Sequence, residues 1–417
     1  MSDDPEPGPT SARALLGERD FVFFWLSRWT AVLGLQIQSV TLGWQIYDLA
    51  RQTMDVKRAA FMVSLIGLIS FIPVALLALP AGETADRHNR KRVLLICYSG
   101  EIATAVLLTV AAVMGLATIP LLLGAAFVFG TSRAYFAPAN TALGPMLVPR
   151  ELLPRAIAWQ SLAWQTASIG GPAIGGLLVA LSPGVAYGTS VGLYLVAAVC
   201  VLNIRAKGQP QVQPGSRWAL MKEGLAYVWR NKIVFGSISL DLAAVILGGA
   251  TALLPVFAKD VLHVGAEGFG LLRASPAVGA ALVAFYLAGN PIRSKAGIAM
   301  FSGVAVFGAA TVVFGLSKVL WLSVGALIVL GGADMISVYI RQTLVQLVTP
   351  DHMRGRVATV SSLFIGASNE LGEFESGVVA RFLGPVGAAV FGGVGALMVT
   401  GVWAKLFPAL RKADRLA

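Results

Sequence analysis

The chain reads as an all-α polytopic membrane protein, with twelve transmembrane helices in two six-helix pseudo-symmetric halves, and three observations predict this. Of its 417 residues 56% are hydrophobic and only 13% are charged. Its apolar runs are about 20 residues long, the length that crosses roughly 30 Å of hydrocarbon. A long polar interruption, Asn203 to Lys232, separates six such runs from six others.

Residues 1–20 are expected to form a cytoplasmic N-terminal tail. Met1 to Thr10 is acidic and Pro-rich, without the basic and apolar regions of a cleavable signal peptide, and reads as disordered. The N-terminal bundle, 21–203, carries apolar runs at about 21–48, 60–80, 93–115, 119–141, 157–180 and 184–203. A cytoplasmic linker spans 204–233. Its second part, Ser216 to Lys232, is amphipathic: Trp218, Met221, Leu225, Val228 and Trp229 share a broad apolar face, with Glu223 and Arg230 opposite and Lys222 at the border. That pattern predicts a helix on the membrane surface. The C-terminal bundle, 234–407, carries runs at about 234–257, 266–288, 297–316, 319–342, 357–380 and 384–407, and residues 408–417 form a second cytoplasmic tail.

Basic residues orient the chain. Assigning alternate connections to one face gathers 22 of the 32 Lys and Arg there, including Arg13, Arg19, Arg293 and Arg415, and leaves six on the other, among them Arg51 and Lys259. This satisfies the positive-inside rule and predicts a multi-pass protein of the cell (inner) membrane with both termini in the cytoplasm. The net charge of +11 then needs no nucleic acid, because the excess faces anionic lipid. Cys97 and Cys200 both lie at or within spans, which supports neither a disulfide framework nor zinc.

The halves also repeat. A shift of 201 residues places Pro149 on Pro350, Arg155 on Arg356, Ser161 on Ser362, Leu162 on Leu363, Gly171 on Gly372 and Gly176 on Gly377. Repeated six-helix halves are a transporter architecture, with the substrate site near the bilayer midplane.

After the second span the sequence reads Gly82-Glu83-Thr84-Ala85-Asp86-Arg87-His88-Asn89-Arg90-Lys91. It resembles the loop signature of the major facilitator superfamily, with Asn89 in place of a glycine and Thr84 in place of a larger apolar residue. The resemblance implies a gating loop built on Gly82, Asp86, Arg87, Arg90 and Lys91. Asn89 is expected to keep the turn by tolerating left-handed backbone, and Arg90, Lys91 and Arg92 to hold the loop at the headgroups. Gly171-Pro172-Ala173-Ile174-Gly175-Gly176 is similar to the core of the antiporter signature of drug-exporting facilitators, although Ala167 stands where an upstream glycine is usual. Small residues there also serve close helix packing, so both readings stand. Leu240-Asp241-Leu242, Gly248 to Pro255 and Arg354-Gly355-Arg356-Val357 resemble the branch that includes the enterobactin exporter, of the transmembrane secretion effector type. That branch implies proton-driven export of siderophores, drugs or other small metabolites.

Carboxylates within the eleventh span carry the sharpest functional signal. Glu370, Glu373 and Glu375 lie beside Asn369 in an otherwise apolar run, where each charge costs at least about 2.5 kcal/mol. On a regular helix Asn369 and Glu373 fall within roughly 40°, Glu370 about 60° from Glu373, and Glu375 nearly opposite. Glu373, and after it Glu370, is the expected proton carrier; Glu375 fits a structural role. Arg133 and Asp334, again 201 residues apart, and Asp241 are expected to line a substrate cavity with Asn369, Gln38, Gln165 and Tyr135, and Gln36, Gln160 and Trp164 are further candidates. Arg28 and Arg273, near span ends, are expected to snorkel to the headgroups.

Catalysis finds little support. The chain has no phosphate-binding Gly-x-x-x-x-Gly-Lys-Ser/Thr loop, and its three histidines lie in different connections. The expected protein is therefore not an enzyme and holds no cofactor or metal. Its expected partners are a small-molecule substrate, protons and membrane lipids but no nucleic acid, and it is expected to be a monomer. Efflux by proton antiport through alternating access is the leading function. Proton-coupled import, lipid or lysolipid transport and a non-transporting membrane sensor are the alternatives.

Overall fold

A computed structural model describes residues 12–206, 217–292 and 294–412 of the chain. The readings made above on Met1 to Thr10, Ser216, Arg293 and Arg415, and on the side chains of Arg13 and Trp218, fall outside it. A short α1 (Ala12–Gly17) precedes α2 (Arg19–Thr53), α3 (Val56–Arg87), α4 (Arg90–Val113), α5 (Ile119–Leu143), α6 (Leu153–Leu181) and α7 (Pro183–Asn203). The linker carries α8 (Arg217–Arg230). Next come α9 (Lys232–Gly248), a 3₁₀ turn (Ala250–Leu253), α10 (Leu254–Val256) and a π-turn (Phe257–Val261). Then follow α11 (Ala266–Gly289), α12 (Ala296–Leu316), α13 (Leu320–Val348), α14 (Asp351–Leu406) and α15 (Pro408–Arg411). Among the described residues no strand occurs.

These helices account for twelve crossings. Nine stretches among the described residues are long and apolar enough to cross a membrane, the last of them running unbroken over Met353–Leu406. That stretch is two helices joined at Gly384, whose φ of 78° lies in the left-handed region, with Pro385 following. Left-handed backbone costs glycine nothing, which is why the corner falls there. The remaining two crossings, α2 and α6, are 35 and 29 residues long but diluted by glutamines: Gln36, Gln38 and Gln45 in one, Gln160 and Gln165 in the other.

Local chemistry sets the helix starts. Ser182 accepts a hydrogen bond from the Val185 amide to open α7, and Asn231 accepts from the Ile233 and Val234 amides to open α9. Asn89 opens α4 in the same way, accepting from the Lys91 amide at φ −61° and ψ 114°. The expectation of left-handed backbone there is thus corrected: the position calls for a cap, and asparagine supplies one.

The chain divides into two compact units, Met1–Leu42 with Ile72–Pro214, and Gly43–Phe71 with Gly215–Ala417. In the first, α4 packs on α5 and α7, and Phe21, Phe24, Tyr98, Leu143 and Leu147 belong to its core. In the second, α14 packs on α9 and α12, and α13 on α11 and α12. Close approach is made by small residues: a Cβ on Gly279 of α11 would overlap the Ile328 carbonyl of α13.

The linker helix departs from its expected single apolar face. Val228 is buried among Val234, Ile238, Met353 and Val357, with Met221 packed against the same cluster, whereas Leu225 and Trp229 stay exposed. Tyr227 donates to the Val348 carbonyl at 2.8 Å, and Glu223 pairs with Arg356 at 2.6 Å. The apolar residues therefore serve two surfaces, the bundle and its surroundings.

Candidate functional site

The eleventh crossing, the first part of α14, presents its carboxylates within the second unit. Glu373 Oε1 lies 3.7 Å from Arg273 Nη2 on α11, and both side chains are about a quarter exposed. At that distance the attraction is worth between about 1 and 4 kcal/mol, depending on how much water screens it. Arg273 also donates to the Thr251 carbonyl at 3.3 Å. That carbonyl belongs to the 3₁₀ turn at which the seventh crossing breaks, so the guanidinium takes up a backbone group that the break frees. Arg273 consequently does not snorkel, which corrects the expectation for it. Glu370 accepts from Ser70 Oγ of α3 at 3.1 Å, and Gly67, one turn earlier on α3, faces both Glu370 and Glu373. Glu375 is half-buried and Asn369 is exposed.

A second polar cluster lies deeper in the same unit. Arg341 of α13 and Asp241 of α9 form an ion pair with only 2% and 7% of their side chains exposed. Asp241 and Asp334 line one small cavity together with Ala244, Val245, Val304, Phe307 and Ser337. Asp334 is half-buried, while Ser337 is fully buried, its Oγ without a hydrogen-bond partner among the described residues. The sequence placed Asp241 and Asp334 separately among substrate-cavity candidates; the structure brings them to one cavity, beside an arginine.

The outer ends of α2 and α3 belong to the second unit and are held there by charge. Tyr47 donates to Asp260, and Arg51 pairs with the same carboxylate at 3.1 Å. Asp48 pairs with Lys259. The hydrogen bond to Asp260 holds the Arg51 guanidinium above its ordinary pKa, so it stays charged.

In the first unit Arg28 donates to Gln160 Oε1 at 3.0 Å, so it too turns inward instead of snorkelling. Gln38 is buried and its Oε1 has no partner among the described residues, whereas Arg133, Gln165 and Tyr135 are half-buried. Gln36 Cβ would lie 2.5 Å from a Cβ on Gly171, and Ile37 Cα 3.2 Å from one on Gly175, so the Gly-Pro motif lets α6 lie close on α2. Pro172 and Gly176 are buried in the same stretch, and Trp164 is exposed.

The loop after α3 departs from expectation at two cations. Arg90 is buried, donating to the Ala85 and Ala142 carbonyls at 3.2 and 3.3 Å, and Lys91 donates to the Ile204 carbonyl. Both therefore bind carbonyls at helix ends, where the dipole favours a cation, and not headgroups. Arg92 and Arg87 are exposed, the latter paired with Glu83 at 2.8 Å; Gly82 is buried and Asp86 half-buried.

Two features escaped the sequence reading. Glu101 in α4 is buried and its Oε2 has no partner among the described residues. A lone carboxylate in the apolar run 93–115 was the available signal. The pairing of Arg341 with Asp241 had no local signal, since a hundred residues separate them.

The family described as transmembrane secretion effector matches residues 10–417. The multidrug efflux pump Tap of Mycobacterium bovis is 27% identical over 376 residues, covering 85% of this chain and 87% of the pump. The enterobactin exporter EntS of Citrobacter koseri is 28% identical over 386 residues, covering 89% and 84%. Among solved structures, a bacterial homologue of the human lysosomal transporter Spinster, inward-facing and unoccupied, superposes with a TM-score of 0.71 over 95% of this chain and 96% of its own, at 15% identity. A peptide-family (POT) transporter superposes at 0.73 over 94% and 96%, at 11% identity. The last two likenesses concern the fold.

Proposed function

From the finding that the chain belongs to the transmembrane secretion effector family of the major facilitator superfamily, a family of transporters and not of enzymes, we propose that it exports a small organic molecule across the inner membrane in exchange for protons. The observation that carries this reading is the loose Glu373–Arg273 pair at the broken seventh crossing. An ion pair at 3.7 Å with both partners partly exposed can be exchanged for a proton on the carboxylate, after which Arg273 is released to the carbonyls of the break or to an anionic group of the cargo. Discontinuous helices of this kind commonly place backbone groups at transporter binding sites. Glu370, held by Ser70 on the neighbouring helix, is the second candidate carrier.

The relatives named above are an efflux pump for drugs and an exporter of a siderophore. Both names point to organic cargo. Gln38, Gln165, Tyr135 and Arg133 give the first unit polar side chains suited to an amphipathic molecule, and Asn369 does the same on α14. The positive-inside count supports both termini in the cytoplasm.

The test is proton movement in proteoliposomes under an imposed pH gradient, with siderophores, cationic drugs and lysolipids offered to the wild type and to Glu373→Gln. Substrate-evoked proton movement that the substitution abolishes is the expected result. Cargo flux unaffected by the gradient would overturn proton antiport, and flux of lysolipid alone would favour a lipid transporter.

A further inference from the structure

We infer that the cavity shared by Asp241, Asp334 and Ser337 is a second proton-binding site, separate from the Glu373 face, in which Asp334 takes up and releases the proton while Arg341 remains paired with Asp241. Its role as a second coupling proton rests on the antiport reading above; the binding of the proton itself does not.

Charge balance carries the argument. Asp241 and Arg341 neutralise each other in a nearly fully buried pair. Asp334 adds one further carboxyl to the same cavity, whose other lining groups are Ala244, Val245, Val304, Phe307 and Ser337. None of these is a cation. Arg341, the cation beside the cavity, is taken by Asp241; α12 has no charged residue between Ala296 and Leu316, Arg273 of α11 is directed to Glu373, and Glu370, Glu373 and Glu375 of α14 do not line the cavity. An extra negative charge in such a site is costly, and the available remedy is a proton on the carboxyl.

The Ser337 hydroxyl supplies the independent observation. It is 2% exposed and lacks a hydrogen-bond partner among the described residues, while lining the cavity. Buried polar groups are nearly always satisfied, so an orphan hydroxyl on a polar cavity points to a missing small partner. The cavity has about 10 Å³ open to the centre of a water molecule, enough for roughly one. A neutral carboxyl can both donate and accept, so Asp334, one water and Ser337 can satisfy each other. Access is asymmetric. Asp334 is half-buried while Asp241 and Arg341 have almost no exposure, so of the two carboxyls Asp334 is the less enclosed. The step is the addition of one proton to the Asp334 carboxylate and its loss, with no other bond changed. A metal cation is disfavoured because the Arg341 guanidinium already lies against Asp241, one of the two carboxylates.

The experiment is pH-difference infrared spectroscopy of the full-length protein in nanodiscs, following the carbonyl stretch of protonated carboxyl groups in wild type, Asp334→Asn and Ser337→Ala. Asp334→Asn keeps the Asp241–Arg341 pair, and its sample is accepted once monodisperse by size exclusion. The expected result is that Asp334→Asn removes one protonated-carboxyl band from the pH-difference spectrum, and that Ser337→Ala shifts the same band. A pH-difference spectrum that Asp334→Asn leaves unchanged would overturn the inference. Disappearance of the wild-type band on adding sodium at constant pH would overturn it in favour of a metal cation. An unshifted band in Ser337→Ala would overturn the place of the serine in the site. Because no cargo is present, failure of the transport assay above leaves this result intact, and the reverse also holds.

Discussion

Replacing Arg341 by Met tests whether the buried pair is as isolated as its geometry implies. With 2% and 7% of the two side chains exposed, water screens little of the interaction, and removing one member of such a pair costs about 3–5 kcal/mol. The cost should depend on pH with a sign that differs between the partners. Arg341→Met leaves Asp241 and Asp334, which can each take a proton, so the destabilisation is greatest at high pH and shrinks as pH falls. Asp241→Asn leaves a guanidinium that cannot lose its proton and whose remaining acidic neighbour on the cavity is Asp334. Once acid protonates Asp334 that support is gone, so this cost grows as pH falls. Replacing both partners with Asp241→Leu and Arg341→Met should return stability to within about 1 kcal/mol of wild type or above it, because apolar replacement of a whole buried pair is often neutral or stabilising. Unfolding in mixed detergent micelles, titrated with dodecyl sulfate and read by the fluorescence of the nine tryptophans, gives each value at several pH values. Slopes of the same sign in the two single variants, or single losses no larger than the roughly 1 kcal/mol of an exposed pair, would refute the reasoning.

Two further outcomes follow from close packing and from the charged hairpin. A Cβ at Gly372 would lie 2.6 Å from the Val245 carbonyl oxygen and 3.1 Å from Ile246 Cα, so Gly372→Ala should lose about 1–3 kcal/mol in the same titration, while Gly366→Ala, which meets nothing within 4 Å, should lose no such amount. Asp260→Asn weakens the acceptor shared by Tyr47 and Arg51, and a loss of about 1.4 kcal/mol in holding the α2–α3 hairpin would raise thiol labelling of a cysteine introduced at Met54 roughly tenfold; an unchanged labelling rate would show that the clamp is not what restrains the hairpin.

The crossings were legible because each is long enough for its apolar composition to outweigh scattered polar residues. The repeat was legible for a related reason. Gly171 lets α6 approach Gln36 of α2, and Gly372, 201 residues later, lets α14 approach Val245 of α9, so one packing demand has left the same small residue in both halves. Partnership was not legible. Arg28 and Arg273 look alike in sequence to any arginine that reaches for headgroups, and what turns them inward is an acceptor on another helix, Gln160 in one case and Glu373 in the other. Arg90 and Lys91 read as lipid anchors for the same reason, since the carbonyls they bind become available only when the ends of α5 and α7 are brought to them. The break in the seventh crossing left no hydropathic trace, because Gly248 to Pro255 is as apolar as the helix it interrupts.

Intramembrane charge is distributed differently in the two halves. Within the spans of the second half stand Asp241, Glu267, Asp334, Glu370, Glu373 and Glu375 against Arg273, Arg341 and Lys405, while those of the first hold Arg28 and Arg133 against Asp48 and Glu101. Charge in the membrane interior is expensive on any scale and is retained where it faces a partner or a pathway. Both arginines of the second half are already committed to carboxylates, Arg341 to Asp241 and Arg273 to Glu373. On the antiport reading proposed above, protons or a cationic cargo would offset the acidic excess that the arginines leave. The first half is balanced, and its amides and tyrosine offer hydrogen bonds without adding negative charge. On the antiport reading proposed above, substitutions at Gln38, Arg133 or Gln165 should change which molecules are moved, whereas those at Asp334 or Glu373 should change what drives them.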